Sequence, residues 1–169
     1  AICENLNKNN DKINITSRQD ISTNLNSVKV YNINKIDINT NWFKALNAVS
    51  CVIHCAAKTH VMNNNEQNSL SSFRKINVEG TLNLAKQASA CGVKRFIFLS
   101  SIKVNGERTE KSSIFRCNDT PKPEDFYSIS KWEAEKGLWE ISKKTGLEVV
   151  IIRAPLVYGS GVKGNLRRL

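Results

Sequence analysis

The sequence predicts an α/β protein built on an open parallel sheet. Three observations lead there. Short apolar runs alternate with long segments of helical period. Glycines stand just past the two longest of those segments, at Gly92 and Gly146, where helices commonly stop. Helices of that length between short strands imply crossovers from one parallel strand to the next.

The elements follow in order. "AICENLNKN" reads as the tail of a helix, with Ile2 and Leu6 on one face. Lys12–Thr16 ("KINIT") and Ser27–Ile33 ("SVKVYNI") read as strands, and Asn41–Asn47 as a turn or two of helix. Ser50–Ala56 is a buried strand. "SFRKINVEGTLNLAKQASACG" repeats apolar residues at helical spacing through Phe73, Ile76, Leu82, Leu84, Ala85 and Ala88. Lys94–Ser100 is a strand, followed by a polar loop through Pro123. Phe126–Lys144 is a second long helix, and Leu147–Ala154 a last buried strand. There is no internal repeat and no linker between domains.

Composition sets the outer bounds. At 169 residues the chain is long enough for one ordinary core. Apolar residues make up 40% and charged residues 24%, as in globular proteins generally. No apolar run approaches the ~18 residues of a membrane span, and the polar start is unlike a secretory signal. The net charge of +10 is scattered rather than gathered into a stripe with interleaved aromatics. It points to a basic surface facing an anionic small molecule rather than a nucleic acid. The five cysteines are odd in number and irregular in spacing, which fits a reducing cytoplasm better than a disulfide framework. Cys51, His54 and Cys55 suggest metal ligands at first sight. On a strand, Cys51 and Cys55 stand ~13 Å apart, too far for one ion, so they are expected to be core cysteines.

In an open parallel sheet, ligands bind beyond the carboxyl ends of the strands. Each such end here carries a feature. "HCAAK" (His54–Lys58) offers small residues, suited either to a flat cofactor or to close packing. "FLSSIKVNG" offers Ser100 and Ser101, either site residues or turn formers. "DFYSISKWEAE" places Tyr127 and Lys131 one helical turn apart. A phenol beside an ammonium can serve as a proton acceptor; a half-buried aromatic beside a solvated lysine is the alternative. "IIRAPLVYGSG" ends the last strand in a Gly/Pro turn.

On "VIHCAAKTHVM", "RKINVEGTLNLAKQASACGVKRFIFLSSIKVNG", "YSISKWEAE" and "VVIIRAPLVYGSGVK", the chain resembles the extended short-chain dehydrogenases/reductases of the NAD-dependent epimerase/dehydratase family. Among these it is most similar to bacterial nucleotide-sugar 4-epimerases that make polysaccharide precursors. The resemblance implies a Rossmann-like doubly wound parallel sheet. It implies Tyr127 as the catalytic tyrosine, Lys131 as the lysine that holds the nicotinamide ribose and lowers the phenol pKa, and Ser101 as the partner of the reacting hydroxyl. Ser100, Asn77, Ala56, Ala57, Lys58 and Pro155 would border the cofactor. It further implies a nucleotide-sugar substrate, a cytoplasmic enzyme and a homodimeric parent.

Two departures from the family pattern shape what is expected. The phosphate-binding glycine loop, which should join the first strand to the first helix, is absent from the sequence, and the chain stops where the sugar-binding region should begin. Residues 1–159 are therefore expected to be a partial dinucleotide-binding domain, 160–169 the start of the substrate region, and the chain alone an inactive fragment. The strands at 12–16 and 50–56 would flank a missing central strand, leaving a gap or a non-family pairing. Second, the place of the acidic residue that binds a ribose 2′-hydroxyl reads Ser17-Arg18. Arg18 suits a 2′-phosphate and NADP. Similar members of the family carry Arg there, so NAD is expected, with Asp37 and Ile38 bracketing its adenine. A keto-sugar reductase using NADP is the rival enzyme, and a catalytically dead binding protein the rival outside enzymes.

Overall fold

The computed structural model describes residues 2–9, 11–23, 25, 27–59, 69–109 and 112–157. In chain order these form α1 (Ile2–Lys8), β1 (Ile13–Ser17), β2 (Val28–Asn32), α2 (Phe43–Leu46), β3 (Cys51–His54) and α3 (Leu70–Phe73). A π-helical segment (Arg74–Gly80) runs into α4 (Thr81–Ala90), and β4 (Arg95–Ser101), a 3₁₀ turn (Ile102–Val104), α5 (Phe126–Thr145) and β5 (Glu148–Ala154) follow. Every strand pair is parallel. Ile13 lies opposite Val28, Cys51 opposite Arg95, and Arg95 opposite Glu148.

The sheet is in two pieces, β1-β2 and β3-β4-β5. The expected gap is present. β1 and β3 do not pair, and a cavity of ≈ 290 Å³ is lined by Asn14 and Thr16 of β1, Cys51 and Ile53 of β3, and Trp42 and Leu84. Asn14 bridges part of the way by donating to the Ala45 carbonyl of α2 at 2.8 Å.

Alternation along the strands decides what is buried. Phe96 and Phe98 of β4 are fully buried beneath Leu84, Ala85 and Ala88 of α4 and Ala134, Leu138 and Ile141 of α5. The opposite face is open. Ile53 is 39% exposed, Val150 39% and Ile152 46%. Among the described residues, helices thus cover one face of this sheet, where a doubly wound sheet has them on both. Cys51 and Cys55 belong to the open side and are exposed free thiols, not the core cysteines expected from the sequence.

Capping fixes α5. The Asp125 carboxylate accepts from the Ser128 N–H at 2.6 Å, and the Ser128 hydroxyl accepts from the Asp125 N–H at 3.2 Å, a reciprocal capping box. At the other end Gly146 takes φ +75°, and its N–H closes on the Ser142 carbonyl. The π-helical segment begins where Phe73 enters the core and ends at Gly80. A Cβ at Gly80 would lie 2.6 Å from Ile36 Cγ2 and 3.2 Å from its carbonyl carbon, so the Ile36–Asp37 loop rests directly on this turn.

His54 occupies the core as a neutral ring. It is 5% exposed, with Nε2 3.0 Å from Thr81 Oγ1 and its ring stacked on Phe98 at 5.9 Å. Burial, and then the charge of Lys131, lower its pKa from 6.5 to about 3. Between those values the unfolded chain binds a proton that the folded chain refuses. Stability is therefore complete above the unfolded pKa and falls as pH drops through this window, by at most about 1.4 kcal/mol per pH unit. Urea midpoints taken at about pH 7 and pH 5 should separate for the unsubstituted chain and converge for His54→Phe. Equal separation in both would show that His54 is not the group responsible.

Candidate active site

The carboxyl ends of β3, β4 and β5 and the first turns of α5 meet at one edge of the larger sheet. β4 delivers Ser100 and Ser101 in succession, on opposite faces. α5 brings Tyr127, with Lys131 one turn on.

The Ser101 hydroxyl lies near enough to the Tyr127 phenol to bear on its ionisation, and it also accepts from the Lys103 N–H at 3.3 Å. Burial, followed by the Asp125 carboxylate, holds the Tyr127 phenol above its usual pKa, opposed by Lys103 and by the Ser101 hydroxyl. The cation bearing on the phenol is thus Lys103, paired with Asp125 at 2.9 Å and Glu107 at 2.8 Å. The sequence led us to expect Lys131 in that part. In the structure the Lys131 ammonium instead sits 3.8 Å above the centre of the Phe98 ring. It is 1% exposed. Burial lowers its pKa to about 8, against the opposing pull of Glu135 and Cys55.

Asn77 lies in the π-helical segment and is buried. Its amide is fully engaged. It accepts from the Lys58 N–H at 2.7 Å, donates to the Lys58 carbonyl at 3.0 Å, and donates to Ser130 Oγ at 2.9 Å. Asn77 therefore clasps the segment after β3 to α5. The Lys58 ammonium lies 5.5 Å from the Phe73 ring. Ala56 and Pro155 are exposed at the ends of β3 and β5, and Ala57 is half-buried. Small residues over a fixed backbone at this edge fit one half of a dinucleotide.

The other expected cofactor residues stand elsewhere. Arg18 is exposed just beyond β1 and lines the cavity between the two sheets. Asp37 is 2% exposed, and its carboxylate accepts from the Asn39 N–H at 2.9 Å and pairs with Lys35 at 2.7 Å. These contacts, that of Lys35 first, hold it below the usual carboxylate range. Asp37 thus shapes its own turn, while the neighbouring Ile38 is 60% exposed. Tyr158 and residues 159–169 lie outside the described residues.

Sequence reasoning missed Glu135 and Arg153. Glu135 is 1% exposed, and its carboxylate accepts from Ser100 Oγ at 2.5 Å and from Arg153 Nη2 at 2.7 Å. A glutamate one turn after a lysine reads as a surface ion pair, so nothing local marked it as buried.

A serine beside a tyrosine at the carboxyl edge of a parallel sheet, with a lysine one turn on, matches the arrangement that the sequence resemblance implies for the class of extended short-chain dehydrogenases/reductases. Within it, the chain belongs to the NAD dependent epimerase/dehydratase family, whose model matches residues 1–169. Over 140 residues it is 48% identical to a UDP-glucose 4-epimerase of Vibrio cholerae, covering 83% of this chain and 43% of that protein. A solved UDP-glucuronic acid 4-epimerase from Bacillus cereus in complex with NAD superposes with a TM-score of 0.63 at 26% identity, covering 77% of this chain and 40% of that one. A UDP-N-acetylglucosamine 4-epimerase from Bacillus cereus shares the fold, with a TM-score of 0.76 at 21% identity, over 98% of this chain and 58% of that one. The chain thus spans less than half the length of the Vibrio protein.

Proposed function

We propose that the protein to which this chain belongs is an NAD-dependent nucleotide-sugar 4-epimerase. It interconverts a UDP-sugar and its C4 epimer through a 4-keto intermediate, in the supply of polysaccharide precursors. The observation that carries this reading is the meeting of Ser101 and Tyr127 at the carboxyl edge of β4, with Lys131 buried one turn along α5. The 48% identity to the Vibrio cholerae UDP-glucose 4-epimerase supports the choice of reaction. Residues 1–159 then form part of the dinucleotide-binding domain, 160–169 begin the substrate region, and the enzyme works in the cytoplasm as a homodimer.

The small residues Ala56 and Ala57, the segment clasped by Asn77, and Ser100, Lys131 and Pro155 would border the nicotinamide half of NAD. Arg18, Asp37 and Ile38 would lie toward the adenosine half. Bound there, NAD would supply reversible hydride transfer at the sugar C4. The chain's own residues handle the proton. Ser101 Oγ holds the reacting hydroxyl against Tyr127 Oη, the atom through which its proton leaves and returns. The raised phenol pKa favours the protonated form, which delivers a proton to a ketone oxygen. Forming the proton-accepting phenolate draws on the cations nearby. The protein contributes position and charge, and the cofactor the redox step.

An epimerase returns its hydride and needs no external reductant. The full-length protein should therefore interconvert UDP-glucose and UDP-galactose with catalytic NAD alone. Stoichiometric consumption of NADPH would replace this reading by a keto-sugar reductase, with Arg18 facing the 2′-phosphate.

A further inference from the structure

β4 and α5 are joined on either side of Ser101. On the inner side Ser100 donates to Glu135 of α5 at 2.5 Å. On the outer side the chain leaves Ser101 in the 3₁₀ turn Ile102–Val104, whose middle residue is Lys103. The Lys103 ammonium donates to Asp125 Oδ2 at 2.9 Å and to Glu107 Oε1 at 2.8 Å. Asp125 is the residue that starts α5, and its other carboxylate oxygen, Oδ1, accepts from the Ser128 N–H at 2.6 Å. Each partner of the ion pair therefore stands two residues from a site residue, Lys103 after Ser101 and Asp125 before Tyr127. Ser101 Oγ also accepts from the N–H of Lys103 itself at 3.3 Å, so serine, turn and ion pair form one unit.

We propose that Lys103 is a positioning residue: its ion pair with Asp125 clamps the turn after Ser101 to the first turn of α5 and so sets Ser101 against Tyr127. This rests on the reading that Ser101 and Tyr127 handle the substrate hydroxyl. The bond from Ser100 to Glu135 fixes the strand to α5 about two turns beyond Tyr127. Two further bonds hold the turn to the polar loop rather than to the helix: the Lys122 N–H donates to the Val104 carbonyl at 3.0 Å, and the Asn105 side chain donates to the Arg116 carbonyl at 2.8 Å. The Lys103–Asp125 pair is what reaches the start of α5. Glu107 pins the ammonium from the loop side, so a flexible side chain is held between two carboxylates. The Lys103 and Asp125 side chains are 40% and 22% exposed. An ion pair that open to water adds little to stability, whereas catalysis is sensitive to placement on the scale of an ångström. Loss of the pair should therefore be read in the rate and not in the melting curve.

The test compares full-length Lys103→Met, Asp125→Ser and the double variant K103M/D125S. Serine caps a helix about as well as aspartate but has no second oxygen for Lys103, so D125S removes the clamp and spares the cap. Turnover is followed across pH and compared on the alkaline plateau, where a changed phenol pKa no longer counts. Each single variant should lose roughly tenfold in kcat, with KM for the UDP-sugar little changed. The double variant should lose no more than either single, because one clamp can be broken only once. Melting midpoints should move by a few degrees at most. Without substrate, the nuclear Overhauser effect between the Tyr127 ring protons and the Ser101 β-protons should weaken in K103M. Parental kcat in K103M, additive losses in the double variant or an unchanged Overhauser effect would each overturn the proposal. So would a loss of turnover that follows a large fall in the melting midpoint, which would make the pair a stabilising contact only. The Overhauser readout needs no substrate. If it weakens as expected while the parent shows no epimerase activity, the substrate assignment fails and the clamp stands.

Discussion

Tyr127→Phe in the full-length protein is expected to lower turnover by ~10²-fold or more while leaving NAD affinity nearly unchanged. The substitution deletes one oxygen. The ring stays, half-buried in the first turn of α5, whose start is fixed by the Asp125–Ser128 capping box rather than by the phenol. What disappears is the phenol oxygen beside Ser101, the atom proposed to exchange the proton. The pH profile adds a second signature. Because burial and Asp125 hold the phenol above its ordinary pKa, its anionic form becomes abundant only on the alkaline side. Turnover limited by proton abstraction should therefore climb with pH beyond neutrality in the unsubstituted enzyme, and that climb should vanish in the variant. Turnover in Tyr127→Phe equal to that of the parent would remove Tyr127 from the chemistry altogether.

Phe98→Ala is expected to be the most destabilising of the core truncations near the site, at ~3–5 kcal/mol. A domain's whole margin is ~5–15 kcal/mol. Phe98 is fully buried in the central strand of the larger sheet, and two groups depend on its ring. His54 stacks on it at 5.9 Å, and the Lys131 ammonium lies 3.8 Å from its centre. Removing the ring opens a cavity and withdraws the quadrupole beneath a desolvated cation, itself worth about 2 kcal/mol in such a setting. Phe96→Ala, which loses a comparable volume and a tilted contact with His54 at 6.0 Å but not the ring beneath the Lys131 ammonium, should cost less. Denaturant midpoints compared at constant slope decide the order. A loss below about 1 kcal/mol for Phe98→Ala would mean that the site collapses around the gap and that Lys131 is held by other means.

Several features were legible in the sequence because a local signal sufficed. Asp125 and Gly146 mark the two ends of α5, and the expected span Phe126–Lys144 is one residue short of the observed helix. The strands are displaced by a residue at most at their starts, since apolar spacing dictates them. Other features depend on tertiary partners and leave no local mark. The apolar spacing of "RKINVEG" is compatible with an α-helix, so the π-helical segment is silent. The apolar runs "RFIFLS" and "VVIIRA" look alike whether one face of the sheet is covered or two, so the open face with Val150 and Ile152 could not be read from them. The reach of Asn77 across to Lys58, and of Arg153 to Glu135, spans 19 and 18 residues. Only the fold brings those pairs together.

The division of the sheet also bears on the order of folding. The ten residues 18–27 join β1 to β2, whereas 40 residues, 55–94, separate β3 from β4. Two doublings of loop length add about 1.2 kcal/mol of closure entropy, so the smaller sheet can close on itself before the larger one is assembled. It then gains little further protection, because its contribution to the buried core is slight. β4 is bonded on both edges and buried under two helices. Amide hydrogen exchange should therefore show two cooperative units: β1 and β2 opening locally, and β4 opening only with global unfolding. Identical exchange free energies along β1 and β4 would mean that the two pieces open and close as one.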